Sequence, residues 1–252
     1  MPARIHVPQA LSPGLALDLP DGAARHVQVL RLQPGAGLTL FDGRGGQWSA
    51  ELLAMGRKRV SARVLAHWPV ERELARPVTL ALGMPANERM DSLVEKATEL
   101  GVSHIVPLVC ERSVLRLAGE RAARKAAHWQ AIAVAACEQS GRNRLPSVAA
   151  PLALKDWLAQ HAADARTGLR ALLSFAADAR PLRALLGAAA DDLDRKLPLT
   201  LLSGPEGGLS EAELALAQSL GFVPISLGAR TLRADTAPLA ALAGLCALEP
   251  VT

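Results

Sequence analysis

The sequence predicts an α/β protein, with a small β-rich N-terminal module followed by a larger domain built on a parallel sheet. Residues 1–70 carry short strand-like segments separated by glycine and proline turns. From Val78 onward, short apolar segments alternate with helical periodicity, which is typical of a parallel sheet covered by helices. Half of the 252 residues are hydrophobic. That content is enough for a sizeable core and excludes intrinsic disorder.

The N-terminal module contains two predicted strands. Residues 60–64 alternate apolar and polar side chains at period two, and residues 38–41 form a short apolar segment. The glycine-rich residues 42–46 are predicted to form a hairpin loop after the first of them. One short helix is expected around residues 23–32.

A charged stretch at residues 70–76, bracketed by Pro69 and Pro77, separates this module from the rest of the chain. Because the strand and helix pattern changes directly after it, we interpret this stretch as a domain boundary. The predicted domains are residues 1–72 and residues 73–252.

The second domain is predicted to alternate strands with helices. Strands are predicted at residues 78–82, 104–108, 169–174, 199–203 and 222–227. Helices are predicted at residues 90–100, 120–139 and 238–248, the first from apolar residues at helical spacing that end at Gly101. The polar side of that first helix is interpreted mainly as a solvated face, with an ion pair between Lys96 and Glu99.

Basic residues are concentrated in the first part of the chain. Residues 1–76 hold 10 Lys and Arg against 6 Asp and Glu, and 23 of the 28 cations are Arg. Arg suits bidentate phosphate contacts, so a basic N-terminal domain suggests a polyanionic partner. A solvated basic surface explains the charge equally well. The four Trp, three Phe and no Tyr argue against an RNA-recognition motif that stacks bases.

The cysteines and the apolar segments exclude several protein classes. Cys110, Cys137 and Cys246 are far apart in sequence and form no Cys-x-x-Cys spacing. Neither a disulfide framework nor a metal site is therefore predicted, and the thiols are expected to pack in the core. No apolar segment approaches the roughly 18–20 residues of a membrane span, and residues 1–6 lack the core of a signal peptide. We expect a soluble, cytoplasmic protein.

The most distinctive local motif is Ser-Gly-Pro-Glu-Gly-Gly-Leu-Ser at residues 203–210, between an apolar strand and a helix. Ser210 and Glu213 have the spacing of a capping box. The glycines let the backbone turn sharply and approach a ligand at the carboxyl end of a parallel strand, where α/β sheets bind ligands. The segment lacks the Gly-Lys-Ser/Thr ending of a phosphate-binding loop. A tight strand-to-helix turn without a ligand is the alternative.

A second charged segment, residues 227–237, follows the last predicted strand. It carries Arg230, Arg233 and Asp235, which could hold a phosphate or stabilise a developing oxyanion. The alternative is a strand, loop and helix with no ligand, in which Asp235 or Thr236 caps the helix.

Five segments in this order resemble the bacterial 16S rRNA uridine-N3 methyltransferases of the SPOUT superfamily. These segments are residues 96–102, 111–113, 138–142, 204–208 and 227–237. His26-Val27-x-Val29-Leu30-Arg31-Leu32, followed by Phe41-Asp42-Gly43, is also similar to the family. The chain departs from the family pattern at Asp235, where the family usually has Glu.

The resemblance implies an N-terminal PUA-like RNA-binding β-barrel and a C-terminal SPOUT methyltransferase domain tied in a trefoil knot. It also implies S-adenosylmethionine as cofactor, a homodimer, and a substrate uridine in the decoding region of 16S rRNA within the 30S subunit. The cofactor-binding residues that it implies are Leu173, Ser174, Ser203, Gly204, Pro205, Glu206, Gly207, Gly208, Leu227, Gly228 and Leu232.

The expected chemistry suggests the catalytic residues. Uridine N3 must lose its proton, which places negative charge on O2 or O4. Arg233 is expected to stabilise that charge, and Asp235 or Glu206 to orient Arg233 or accept the proton. The residues expected to contact RNA phosphates are Arg4, Arg25, Arg31, Arg57, Lys58, Arg59, Arg112 and Arg142.

Two other functions stay open at this point. One is a ribosome-assembly factor that binds RNA and has a vestigial cofactor pocket. The other is a SPOUT methyltransferase that acts on another RNA, such as tRNA or large-subunit rRNA. Cofactor affinity and the identity of the methylated RNA discriminate between these alternatives.

Overall fold

The computed structural model describes residues 2–56, 59–86, 88–163, 168–187 and 196–248. Arg57 and Lys58, both predicted to contact RNA, lie outside the described residues. The chain divides into two compact units: unit 1 is Met1–Glu73 with Val134–Leu145, and unit 2 is Leu74–Ala133 with Pro146–Thr252. The domain boundary between residues 72 and 73 stays a prediction. That residues 134–145 belong to unit 1 was not predicted from the sequence.

Unit 1 is built on a five-stranded sheet with the strand order β1-β3-β4-β5-β2. Its elements are β1 (Ala3–His6), β2 (Ala16–Asp18), α1 (Asp21–Val29), β3 (Gly37–Phe41), β4 (Gln47–Met55) and β5 (Val60–Trp68). Strands β3, β4 and β5 pair antiparallel, and β1 is parallel to β3. The two predicted strands and the hairpin loop between β3 and β4 are confirmed, whereas β1, β2 and β4 had not been predicted individually.

Buried polar contacts attach residues 134–145 to the rest of unit 1. The side chain of Arg142 is 3% exposed, and its guanidinium forms an ion pair with Glu73. Arg4 donates to the backbone carbonyl of Arg142 at 2.7 Å and to the side chain of Asn143. Both guanidinium groups thus bind partners inside unit 1. The contact of Arg4 and Arg142 with RNA phosphates stays a prediction.

Unit 2 is built on a parallel sheet with the strand order β11-β13-β10-β12-β6-β7-β8, in which β9 also pairs with β7. Its strands are β6 (Val78–Gly83), β7 (His104–Val109), β8 (Ser147–Val148), β9 (Leu152–Ala153), β10 (Leu169–Leu173), β11 (Arg180–Pro181), β12 (Leu199–Ser203) and β13 (Val223–Ser226). Its helices are α2 (Glu88–Glu99), α3 (Gly119–Ser140, whose last turns belong to unit 1), α4 (Leu154–Ala163), α5 (Leu182–Gly187), α6 (Glu211–Ser219) and α7 (Thr236–Leu248). Within the described ranges, none of the helices has the length and apolar character needed to span a membrane.

Both faces of this sheet are buried, which explains why its central strands are almost continuously apolar. On one face Leu80 and Leu201 belong to the larger hydrophobic cluster of unit 2. Their neighbours in sequence, Ala81 and Leu202, belong to a separate cluster. Successive side chains of a strand point to opposite faces, so a sheet covered on both sides has strands with apolar residues on both faces. The α/β class with a parallel sheet, predicted from this pattern, is confirmed.

Strand β10 lies between β12 and β13, although both follow it in sequence. Since the three strands are parallel, their carboxyl ends at Leu173, Ser203 and Ser226 lie along the same edge of the sheet. The loops that follow these strands are therefore neighbours in space. The trefoil knot that the family resemblance implies stays a prediction.

The cysteines that the chain buries are packing residues, as predicted. Cys110 and Cys137 are buried, and Cys246 is partly buried. Burial raises the pKa of the Cys110 thiol to about 12 and that of Cys137 to about 11. At neutral pH these two groups are therefore thiols, which are poor nucleophiles.

We expect the substitution Arg142→Ala to lower the free energy of unfolding by about 3–5 kcal/mol, because it leaves the largely buried Glu73 carboxylate without its partner. Arg124→Ala is the matched control. It removes a pair with Glu120 in which the two side chains are 76% and 91% exposed, so its cost should stay below about 0.5 kcal/mol. Urea unfolding measures both, and equal losses would contradict a structural role for Arg142.

Candidate active site

The loops after β10, β12 and β13 enclose a cavity of about 500 Å³ in unit 2. Small-molecule sites in proteins have volumes of about 300–1,000 Å³. Leu173, Leu209, Ile225 and Leu227 give the cavity an apolar wall. Charged side chains also line it, so the cavity combines apolar surface with a few polar groups, as ligand sites do.

The glycine-rich loop at residues 204–208 is shaped by close backbone packing. A Cβ on Gly83, the last residue of β6, would lie 2.4 Å from Cδ of Pro205 and 2.5 Å from its nitrogen. Gly208 has a φ of +70°, in the left-handed region that favours glycine. The loop can therefore take this path only because neither position carries a side chain.

The buried carboxylate of Glu213 links this loop to a second segment. The predicted capping box is confirmed, since Ser210 Oγ accepts from the amide of Glu213 and the Glu213 carboxylate accepts from the amide of Ser210 at 2.9 Å. The other oxygen of Glu213 accepts from the amide of Glu111 at 2.8 Å. Arg112, next in sequence, donates to the carbonyl of Gly207 at 3.2 Å. Arg112, predicted to contact RNA, thus also supports the glycine-rich loop.

The structure brings the predicted cofactor residues together. Except for Gly207, they all line the cavity: Leu173, Ser174, Ser203, Gly204, Pro205, Glu206, Gly208, Leu227, Gly228 and Leu232. Gly207 lies outside the lining, and its carbonyl binds Arg112. These positions come from three separate loops, so the cavity depends on the strand order of the sheet. Their role as cofactor ligands stays a prediction.

The predicted catalytic carboxylates meet at this cavity through Arg89, the second residue of α2. Arg89 Nη1 lies 3.5 Å from Oε1 of Glu206, and its Nε lies 3.9 Å from Oδ2 of Asp235. The same oxygen of Glu206 accepts from the amide of Ala86 at 3.0 Å. Arg89 and Glu206 line the cavity directly, and Asp235 is placed beside it by this ion pair.

Arg233 also lines the cavity, together with Arg230, and both are exposed. Across the residues that the structure describes, the ion pairs of Glu206 and Asp235 are with Arg89 and not with Arg233. The prediction that either carboxylate orients Arg233 is therefore supported by no ion pair among these residues, and it stays a prediction. Their role as proton acceptor and the role of Arg233 in stabilising charge stay predictions.

Arg89 and Phe175 line the cavity but were not among the predicted site residues. Arg89 lies on the helix interpreted mainly as a solvated face, where the predicted Lys96–Glu99 pair is confirmed at 2.8 Å. Phe175, which follows β10, has 69% of its surface exposed at the cavity. A large apolar side chain next to a predicted ligand loop is a usable signal for Phe175. No local pattern singles out Arg89, since its partners are more than 100 residues away.

Comparison with known proteins identifies the family. A family model described as an RNA methyltransferase domain matches residues 72–245, and one described as an RNA methyltransferase PUA domain matches residues 19–65. The ribosomal RNA small subunit methyltransferase E of Synechocystis is 38% identical over 223 residues, which cover 88% of this chain and 69% of that protein. The chain belongs to the ribosomal RNA small subunit methyltransferase E family.

Two solved structures share this fold over almost the whole chain. A family member from Neisseria gonorrhoeae, bound to S-adenosylmethionine, is 34% identical with a TM-score of 0.86, covering 99% of this chain and 98% of its own. A methyltransferase from Legionella pneumophila, solved with the same cofactor, is also 34% identical with a TM-score of 0.86, covering 98% of each chain. The predicted SPOUT-type α/β domain and N-terminal PUA-like domain are thus confirmed for this member of the family.

We expect Gly83→Ala to destabilise the protein by about 1–3 kcal/mol, because its Cβ would overlap Pro205 and displace the glycine-rich loop. Gly22→Ala, in α1, is the matched control. A Cβ there meets nothing within 4 Å, and Ala favours a helix over Gly by up to about 1 kcal/mol. Thermal unfolding measures both variants. A Gly83→Ala variant as stable as Gly22→Ala would contradict the close approach.

Proposed function

We propose that this enzyme transfers a methyl group from S-adenosylmethionine to N3 of a uridine in the decoding region of 16S rRNA. The observation that carries the proposal is the cavity formed by the loops after β10, β12 and β13, whose lining includes the residues of the family motifs. Membership of the ribosomal RNA small subunit methyltransferase E family supports the choice of RNA. The cofactor in the two related structures supports the choice of methyl donor.

The cavity fits S-adenosylmethionine in size and chemistry. Its apolar wall, which includes Leu209 and Ile225, suits the flat adenine ring, and the glycine-rich loops offer backbone groups for hydrogen bonds. The carboxylate of Glu206 is placed in the lining, where it suits a ligand that carries positive charge. When bound, this cofactor supplies a methyl group on a positively charged sulfur.

The residues at the cavity provide a proton acceptor and a hydrogen-bond donor for the uracil ring. N3 is a poor nucleophile until its proton leaves, and the negative charge then spreads to O2 or O4. Arg233, exposed in the lining, can donate hydrogen bonds to that oxygen and stabilise the charge. Glu206 or Asp235 accepts the proton from N3, and N3 bonds to the methyl carbon as the bond between that carbon and the cofactor sulfur breaks, which leaves an uncharged thioether.

The basic N-terminal unit supplies phosphate contacts that position the RNA. Arg25, Arg31 and Arg59 are exposed in unit 1, and their guanidinium groups suit phosphate oxygens. We further propose that the enzyme is a cytoplasmic homodimer that acts on 16S rRNA within the 30S subunit. The resemblance to the SPOUT superfamily supports this assembly and substrate.

The experiment that tests the proposal is the transfer of labelled methyl from S-adenosylmethionine to unmodified 30S subunits, free 16S rRNA and tRNA. Label that maps to 3-methyluridine in 16S rRNA is the expected result, and the ratio between subunits and free RNA identifies the preferred substrate. Label in tRNA alone would overturn the choice of RNA. No label and no cofactor binding would favour the ribosome-assembly factor.

We expect Arg233→Ala to lower kcat about 100- to 1,000-fold, because the charge on the uracil oxygen loses a hydrogen-bond donor. Cofactor affinity should change far less, since the proposed contact is to the RNA base. Single-turnover methylation and calorimetric cofactor binding measure the two quantities, with Arg124→Ala as a control on an exposed face of α3. Equal losses in both quantities would count against this role.

Substituting Arg25, Arg31 and Arg59 by Gln should reduce the salt dependence of RNA binding. Each lost phosphate contact should lower the slope of log affinity against log salt by about 0.7–0.9, so the triple variant should lose about 2–3 units. Filter binding to 16S rRNA at several salt concentrations measures the slope. An unchanged slope would exclude these residues from the RNA surface.

A further inference from the structure

The cavity has more charged groups than the predicted chemistry uses. Three arginines line it, and two carboxylates lie at or beside it. Arg233 has an expected role toward the uracil, and Glu206 and Asp235 are candidates for the proton acceptor. Arg89 has no assigned role, although its guanidinium is the group that contacts both carboxylates.

Arg89 joins three separate parts of the chain. Arg89 lies in the first turn of α2, which follows β6. Glu206 lies in the loop after β12, and Asp235 directly precedes α7. Arg89 uses different atoms for the two contacts: Nη1 toward Glu206 at 3.5 Å and Nε toward Asp235 at 3.9 Å. A guanidinium presents several donors in a fixed plane, so one side chain can serve two carboxylates at once.

These ion pairs contribute little to stability. The side chain of Arg89 is 41% exposed, and those of Glu206 and Asp235 are 33% and 26% exposed. Water screens charges at such positions, so pairs of this kind have a small net energy. The pairs lie at the cavity, where a shift of either carboxylate would move a candidate proton acceptor.

Both carboxylates pair with Arg89 and, across the described ranges, not with the two other arginines of the cavity. Among the described residues, neither Arg230 nor Arg233 forms an ion pair. With Arg89 removed, the two carboxylates would lose this partner, and the remaining arginines that line the same cavity could pair with them. An arginine paired in that way could not donate to the uracil oxygen.

We propose that Arg89 is a positioning residue that holds Glu206 and Asp235 at the cavity and thereby leaves Arg233 available to the uracil. This inference rests on the proposed function. Arg89 acts through the two carboxylates and not by touching the RNA base or the cofactor. Lysine at this position keeps the charge but has a single nitrogen, so it can hold one carboxylate well and not both.

The test is a mutant cycle in the full-length enzyme with unmodified 30S subunits. Single-turnover methylation rates are measured for the wild type, R89A, R89K, the E206Q/D235N double variant and the R89A/E206Q/D235N triple variant. Cofactor affinity and thermal unfolding are measured on the same samples, and R124A is the control arginine on an exposed helix face.

In the otherwise wild-type enzyme, R89A should lower the rate about 10- to 100-fold, the size of effect that misplaced catalytic groups produce. Cofactor affinity should fall less than the rate does, because Arg89 acts on the cofactor only through Glu206. R89K should recover part of the rate. In the E206Q/D235N background, R89A should have no further effect, because the groups it acts through are already neutral.

Two results would overturn the inference. The same fold-loss from R89A in both backgrounds would show that Arg89 acts directly on the substrate or the cofactor. An R89A rate equal to that of the wild type would show that these are surface pairs without consequence. If R89A unfolds at a lower temperature than the wild type, the rate of R89K still tests the inference. A wild-type enzyme that labels no RNA would instead overturn the proposed function, before any comparison of variants.

Discussion

The order of three adjacent parallel strands determines where this protein can bind a ligand. Because β13, β10 and β12 are neighbours and parallel, their carboxyl ends lie at one edge, and the loops after them enclose a single cavity. That arrangement depends on helices that cover both faces of the sheet and on central strands that are almost continuously apolar. The position of the site therefore depends on the packing of the sheet and not on which catalytic side chains the loops carry.

Much of unit 2 could be predicted from the sequence because its signals are local. Apolar strands such as β12 and the helical spacing of α2 are visible within ten to twelve residues. Strands of two residues, such as β8 and β11, are too short to produce a pattern. The assignment of residues 134–145 to unit 1 depends on long-range polar contacts, which no periodicity in a single sequence reveals.

The candidate site shows the same division between local and long-range information. The glycine-rich loop and its capping box were predictable because each is a short pattern with a direct physical meaning. Charge alone was a poor guide, since it did not separate exposed Arg25 from Arg142, which is buried against Glu73. Arg89 could not be found from its surroundings in the sequence, because its significance lies in two carboxylates that come from distant loops.

The two hydrogen bonds that the Glu213 carboxylate accepts have a consequence for the motions of the cavity wall. One oxygen holds the amide of Ser210 at the start of α6, and the other holds the amide of Glu111. Fraying of the first turn of α6 would release both amides together, along with the support that Arg112 gives the glycine-rich loop. We therefore expect the amide protons of Ser210 and Glu111 to exchange with solvent through a common opening event.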